Sequence, residues 1–102
     1  MITITELSVE SEEIRGIPGL DPVQVFWTNF SPKVGSVTIT CYGSAWTAYF
    51  GGMPDETIRE FFRHAGVDYL LSKLGISPHL KERKSDMDYL RKIITGIKEN
   101  LK

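Results

Sequence analysis

The chain has 102 residues, of which 41% are hydrophobic and 25% charged, with a formal net charge of −1. These values are typical of one globular domain over residues 1–102 and exclude a disordered or fibrous class. The single Cys41 excludes an intrachain disulfide and favours a reducing compartment. The start of the chain has no secretory pattern, and the uncharged stretch 34–54 is interrupted by Gly, Ser and Thr. We therefore expect a soluble cytoplasmic protein with no membrane partner.

Alternating β-branched residues predict the first strand at residues 2–7, where Ile2 and Ile4 share one face. The segment 8–21 has no sustained period and is interpreted as a loop, with a tight turn at residues 16–19. Further strands are predicted at 23–30, 36–42 and 45–50. We place a two-residue hairpin turn at Gly43-Ser44.

After Met53 the apolar period changes from two to 3.6. Asp55 is the predicted cap of the first helix, and Gly66 its end. A second helix is expected over 67–74. The segment 76–84 is left open between helix and loop, and Ser85 is the predicted cap of a final helix. That helix has an apolar face formed by Met87, Leu90, Ile93, Ile94, Ile97 and Leu101.

Strands followed by helices indicate an α+β fold. We expect a three- to four-stranded antiparallel meander, followed by two to three C-terminal helices packed on one face of the sheet. The opposite face would then be a mixed polar and aromatic surface that a partner could use. Its predicted members are Thr3, Thr5, Phe26, Thr38, Thr40 and Tyr42.

Few residues suggest catalytic or metal chemistry. Cys41 alternates with apolar positions and is interpreted as a core residue. His64 and His79 belong to no metal-binding pattern, and the helical spacing of Asp55, Glu56 and Glu60 fits a solvated face. We expect a protein that is not an enzyme and that has no cofactor and no metal.

Several segments resemble small accessory proteins carried by lambda-like prophages of enteric bacteria. The resemblance lies in Tyr42–Met53, in Phe61-Phe62, in Asp68–Leu70 and in the run from Asp88 to Ile94. It implies a protein that acts in the cytoplasm of a host bacterial cell. It also implies a non-enzymatic protein that binds a host protein or complex, including the anti-CRISPR-like inhibition of a nuclease-based defence. The resemblance transfers no catalytic residue.

Charge suggests two candidate contact surfaces. Glu10, Glu12 and Glu13 could imitate a phosphate backbone, and together with the sheet residues Thr38, Thr40 and Tyr42 they form the predicted partner-binding set. The alternative is a small nucleic-acid-binding regulator that uses its basic C-terminal region. Its predicted contacts are Lys81, Arg83, Lys84, Arg91 and Lys92.

Self-association is a separate alternative. An open sheet has edges, and pairing across one of them would give a symmetric homodimer. The first predicted strand, which contains Ile2 and Ile4, is the expected exposed edge.

Overall fold

Four β-strands followed by three α-helices make up a computed structural model that describes residues 1–75 and 84–101, without the side chains of Lys84 and Ser85. The elements are β1 (Ser8–Ile14), β2 (Val23–Ser31), β3 (Val34–Cys41), β4 (Ser44–Phe50), α1 (Ile58–His64), α2 (Val67–Leu74) and α3 (Lys84–Asn100).

The strands form one antiparallel sheet in the order β1-β2-β3-β4. The predicted α+β meander with helices after it is therefore confirmed. None of the described helices is long and apolar enough to cross a membrane.

The position of the first strand was predicted wrongly. Residues 2–7 form no strand, whereas Ser8–Ile14, interpreted as part of a loop, pairs with β2 from Ser8 opposite Asn29 to Ile14 opposite Val23. Ile14 packs against the core there, while Ile2 and Ile4 are each 95% exposed. Local β-propensity is a weak guide, because a strand is stabilised by what lies beside it and under it. The predicted tight turn near Gly16 is present, closed by the Leu20 N–H donating to the Ile17 carbonyl at 3.0 Å.

The β3–β4 hairpin turn lies one residue earlier than predicted. Cys41 pairs with Ser44, so the two turn residues are Tyr42 and Gly43, with φ of 49° and 79°. A two-residue turn that matches the twist of the strands needs positive φ at both positions. Tyr42 is therefore a turn residue at the end of the sheet rather than a residue of β3.

Helix starts also differ from the predictions. Thr57, not Asp55, caps α1, because its hydroxyl accepts a hydrogen bond from the Glu60 N–H at 3.3 Å. Ser85 lies inside α3, which begins at Lys84, so it is not the cap of that helix. The open segment 76–84 falls outside the described residues except for Lys84.

The core lies between the sheet and the helices. Inward-facing residues of β2, β3 and β4 alternate with outward-facing ones, and the inward set is almost completely buried. Trp27 meets Phe62 of α1 edge to face, with ring centroids 5.2 Å apart. The predicted apolar face of α3 is confirmed: Leu90, Ile93, Ile94, Ile97 and Leu101 are buried and Met87 packs against them.

A side chain of α3 also caps the C-terminal end of α1. The Lys98 ammonium donates to the carbonyls of Arg63 and Phe62 at 2.8 and 3.1 Å, and to that of Ala65. These carbonyls belong to the last turn of α1, where a cation is favourable. Burial lowers the pKa of Lys98. The ammonium thus fixes α3 across the end of α1.

Candidate functional site

The sheet has one face that no described helix covers, and we call it the outer face. Outward-pointing side chains of all four strands form it, since their neighbours along each strand point into the core. Its members are Val9, Ser11, Glu13, Gln24, Phe26, Thr28, Phe30, Ser36, Thr38, Thr40, Ala45, Thr47 and Tyr49.

Apolar side chains are exposed across this face. Val9 is 56% exposed, Phe26 38%, Phe30 45% and Tyr49 63%. The rings of Phe30 and Tyr49 lie 5.9 Å apart at one end of the sheet. An exposed apolar patch on a small protein is typical of a contact surface.

Hydrogen bonds between strands order the polar part of the outer face. The Thr40 hydroxyl donates to Gln24 Oε1 at 2.8 Å, and Gln24 Nε2 donates to Glu13 Oε2 at 2.8 Å. The Thr38 and Thr47 hydroxyls lie 3.1 Å apart. The hydrogen bond from Gln24, followed by that from Arg15, lowers the pKa of Glu13. Glu13 therefore remains ionised at neutral pH, at the rim of the face.

The predicted partner-binding residues are divided between two faces and a turn. Thr38, Thr40 and Glu13 lie on the outer face, and Tyr42 is 82% exposed in the turn beside it. Glu10 and Glu12 lie on the helix side of β1, opposite Trp27 and Val25. The three carboxylates thus do not form one strip.

The Glu12 carboxylate is held by hydrogen bonds to Arg59 and Trp27. Its carboxylate accepts from Arg59 Nε at 2.9 Å, from Arg59 Nη2 at 3.0 Å and from Trp27 Nε1 at 2.7 Å. These hydrogen bonds, that of Arg59 first, lower its pKa. The carboxylate joins β1 to α1 and to the buried Trp27 ring.

The residues predicted to contact nucleic acid are only partly described. Lys81 and Arg83 lie outside the described residues, and the Lys84 side chain is not described. Arg91 forms an ion pair with Asp68 of α2. Lys92 follows it on α3, near Gly19. Arg91 and Lys92, the two members of this set whose side chains are described, both line one pocket beside Ile17 and Gly96.

Cys41 is buried as predicted, and it has a partner that the sequence did not indicate. Its sulfur lies 3.2 Å from the Tyr89 hydroxyl of α3. His64 ends α1 and lies 3.0 Å from an Asp55 oxygen, while His79 is outside the described residues. Within residues 1–75 and 84–101, no group of three or more His, Cys, Asp or Glu is placed to hold a metal ion.

The contact between Cys41 and Tyr89 makes stability depend on pH. The hydrogen bond with Cys41, together with burial, raises the pKa of the Tyr89 hydroxyl from 10.0 to about 12. A raised pKa favours the neutral phenol in the folded state, so its stabilising contribution is complete below pH 10 and is lost as the pH rises towards 12. We expect the free energy of unfolding to fall over that interval, and to fall less in Tyr89→Phe. Denaturant titrations of both proteins across the interval check this, and parallel pH curves would contradict it.

Sequence reasoning missed several members of the outer face, among them Val9, Phe30 and Tyr49. For Val9 the missing information was the position of β1, since only its pairing with Thr28 places it on this face. Strand parity alone could have assigned Tyr49 to the side opposite Ala48.

Comparison with known proteins assigns the chain to a family. Neither a curated protein nor a solved structure matches the chain. A family model described as a phage family, Phage_phiTE_072, matches residues 2–102. The match confirms the phage association implied by the sequence resemblance, while the lambda-like enteric origin stays a prediction. The chain belongs to the phage family Phage_phiTE_072.

Proposed function

We propose that this phage-family protein is a non-enzymatic accessory protein that binds a host protein in the bacterial cytoplasm through its outer face. One observation carries the proposal: a four-stranded sheet exposes Phe26, Phe30 and Tyr49 on the side that no described helix covers. Burying such side chains against a partner gains free energy in proportion to the apolar area removed from water.

The composition of the outer face favours a protein over a nucleic acid as the partner. None of its members is Lys or Arg, and its one charged member is the carboxylate of Glu13. Nucleic-acid affinity depends on cations that neutralise phosphates. The face instead combines Phe26 near its middle and the Phe30 and Tyr49 rings at one end with hydrogen-bonded polar groups, and aromatic residues are enriched in protein interfaces.

The hydrogen bonds across the outer face would also help binding. Thr40, Gln24 and Glu13 are already held in one arrangement by bonds between neighbouring strands. A surface whose side chains are ordered before binding loses less conformational entropy when the complex forms. The matching partner surface would be apolar where it meets Phe26, Phe30 and Tyr49, with a hydrogen-bond donor or a cation facing Glu13.

A subunit of a nuclease-based defence complex is the first class of host target to test. Binding by this protein would inhibit such a complex by covering a surface that it needs for assembly or substrate entry. The support for this class is the phage family together with a face suited to protein contacts.

The test is capture of host proteins by tagged protein, with and without nuclease treatment, followed by affinity measurement with the purified target. We expect a stoichiometric host protein that survives nuclease. Phe26→Asp combined with Thr38→Asp should weaken its binding roughly tenfold or more, because both place a charge in the contact surface. Ser72→Asp, an added charge on an exposed position of α2, is the matched control and should bind normally.

Two results would contradict the proposal. Unchanged affinity of the Phe26 and Thr38 double variant would show that the partner does not use the outer face. Loss of all captured material after nuclease treatment would favour the nucleic-acid-binding alternative.

A further inference from the structure

The first seven residues, which we call the N-terminal arm, have the sequence of a strand, yet they pair with no strand in the described part of the chain. Ile2 and Ile4 are each 95% exposed and Leu7 is 44% exposed. The pairing of β1 with β2 starts only at Ser8. A β-branched segment without a strand partner leaves apolar side chains and backbone groups open to water.

The sheet has two edges, and they differ in charge. The β1 edge carries Glu10, Glu12 and Glu13, which disfavour the addition of another strand. The β4 edge, Ser44–Phe50, has neither a charged residue nor a proline. Among the described residues, the β4 edge is thus the edge without the charges or prolines that usually protect an edge from pairing.

The hairpin geometry shows which backbone groups this edge offers. A two-residue turn at Tyr42 and Gly43 makes Cys41 and Ser44 a hydrogen-bonded pair, and such pairs alternate along an antiparallel ladder. The N–H and C=O groups of Ala45, Thr47 and Tyr49 consequently point away from β3. These three residues could each exchange hydrogen bonds with an added strand.

An aromatic pocket adjoins the same edge on the helix side. It has a volume of about 380 Å³ and lies where β4 ends, between the Gly51–Pro54 loop and helices α1 and α2. The Phe50 and Phe61 rings are 4.9 Å apart and Tyr69 lies 6.2 Å from each. Lys73 Nζ stands 5.7 Å from the centre of the Tyr69 ring at the pocket rim. The pocket can take an aliphatic side chain and place a carboxylate beside Lys73.

The arm of the same molecule cannot pair with this edge. It leaves the sheet from β1, and reaching a position beyond β4 means crossing about four strand spacings, or roughly 19 Å. Seven extended residues span at most about 25 Å, so no more than about two residues would remain to form a ladder. The strand that pairs with β4 must come from another molecule.

We infer that the N-terminal arm of one copy adds as a fifth strand to the β4 edge of a second copy. Ile2 and Ile4, which share one face of the arm, then lie on the helix side beside the aromatic pocket. Glu6 lies on that same face and meets Lys73 at the rim. When each copy donates its arm to the other, the backbone groups of both arms and both β4 edges gain hydrogen-bond partners in a closed dimer. This inference uses the β4 edge and the helix side of the sheet, shares Ala45, Thr47 and Tyr49 with the outer face, and does not depend on the proposed function.

The test is the molar mass of the full chain in solution, measured over a concentration series by light scattering and by native mass spectrometry. The wild-type protein should form a dimer. Ile4→Lys places a charge in the arm, and Thr47→Pro removes the free N–H at the centre of the β4 edge while leaving the β3 side of the ladder intact. Each variant alone should be monomeric, with the far-ultraviolet circular dichroism of the wild type.

Mixing the two variants separates this arrangement from simple misfolding. The Thr47→Pro protein keeps a functional arm and the Ile4→Lys protein keeps a functional edge, so a mixture should form a heterodimer with one arm–edge contact. Thr5→Ser, a conservative change in the arm, should remain dimeric and is the matched control. A wild-type protein that is monomeric throughout the series would overturn the inference. A mixture that forms no heterodimer, although both variants are folded, would overturn it as well.

Discussion

Replacement of Trp27 by Ala should lower the free energy of unfolding by about 3–5 kcal/mol, the usual cost of deleting a large aromatic side chain from a core. The Trp27 side chain is only 1% exposed and packs edge to face on Phe62. Its Nε1–H also donates to the Glu12 carboxylate at 2.7 Å. The substitution leaves a cavity and removes one partner of the carboxylate that joins β1 to α1. Because domains of this size are stable by only about 5–15 kcal/mol, the loss is a large fraction of the total.

Equilibrium denaturation by urea measures this effect, and Trp27→Phe separates its two causes. The Phe variant keeps most of the apolar volume but loses the N–H donor and one ring of the indole, so we expect a smaller loss, of about 1–2 kcal/mol. Equal losses in the two variants would mean that the hydrogen bond to Glu12, and not packing, dominates at this position. A loss below about 1 kcal/mol in Trp27→Ala would contradict the assignment of Trp27 to the centre of the core.

Substitution of Gly35 by Ala should destabilise the protein by about 1–3 kcal/mol, the range for inserting a methyl group into a packed core. A Cβ at Gly35 would lie 2.8 Å from the Thr28 carbonyl oxygen and 2.9 Å from Ile58 Cβ. Neither atom is the end of a flexible side chain, so strand β3 and the first residue of α1 would have to separate. The Ile58 N–H also donates to Asn29 Oδ1 at 3.0 Å, and this bond would be strained by the same movement.

Gly52→Ala is the control for this prediction. Nothing lies within 4 Å of a Cβ built on Gly52, and its φ is outside the positive range. Alanine there should be neutral or should stabilise by less than about 1 kcal/mol, because it restricts the unfolded chain. Thermal and urea denaturation of the Gly35→Ala and Gly52→Ala proteins measure the difference in their stability. Equal stability of the Gly35 and Gly52 variants would show that α1 does not pack on β3 as closely as described.

Both substitutions could also alter the outer face, because the packed core on the opposite side of the sheet holds the strands in position. Trp27 lies between Phe26 and Thr28, whose side chains point outward. Gly35 directly precedes Ser36, whose side chain also belongs to the outer face. A destabilised variant could therefore lose binding without losing any contact residue. Variants such as Phe26→Asp are the direct test of the surface, and they should be compared only at conditions where each protein is folded.

The sequence determined those elements whose pattern is strong over several residues. Alternation located strands close to β2, β3 and β4, and the 3.6-residue apolar period located all three helices and the buried face of α3. The order of strands and helices with short connections was then enough to predict a meander with helices on one side. The burial of Cys41 followed from the same alternation.

Only the tertiary structure decided where β1 lies. By sequence, residues 2–7 are the better strand, yet Ser8–Ile14 forms it, because Ile14 reaches the core and Glu12 contacts Arg59 and Trp27. These partners lie between 15 and 47 residues away in the chain. The pairing of Cys41 with Tyr89, the turn at Tyr42 and the grouping of Val9 with Phe26 on the outer face have the same origin. Local propensity depends on a few neighbouring residues, whereas these features depend on packing between distant segments. That packing determined that Ser8–Ile14, and not residues 2–7, joined the sheet.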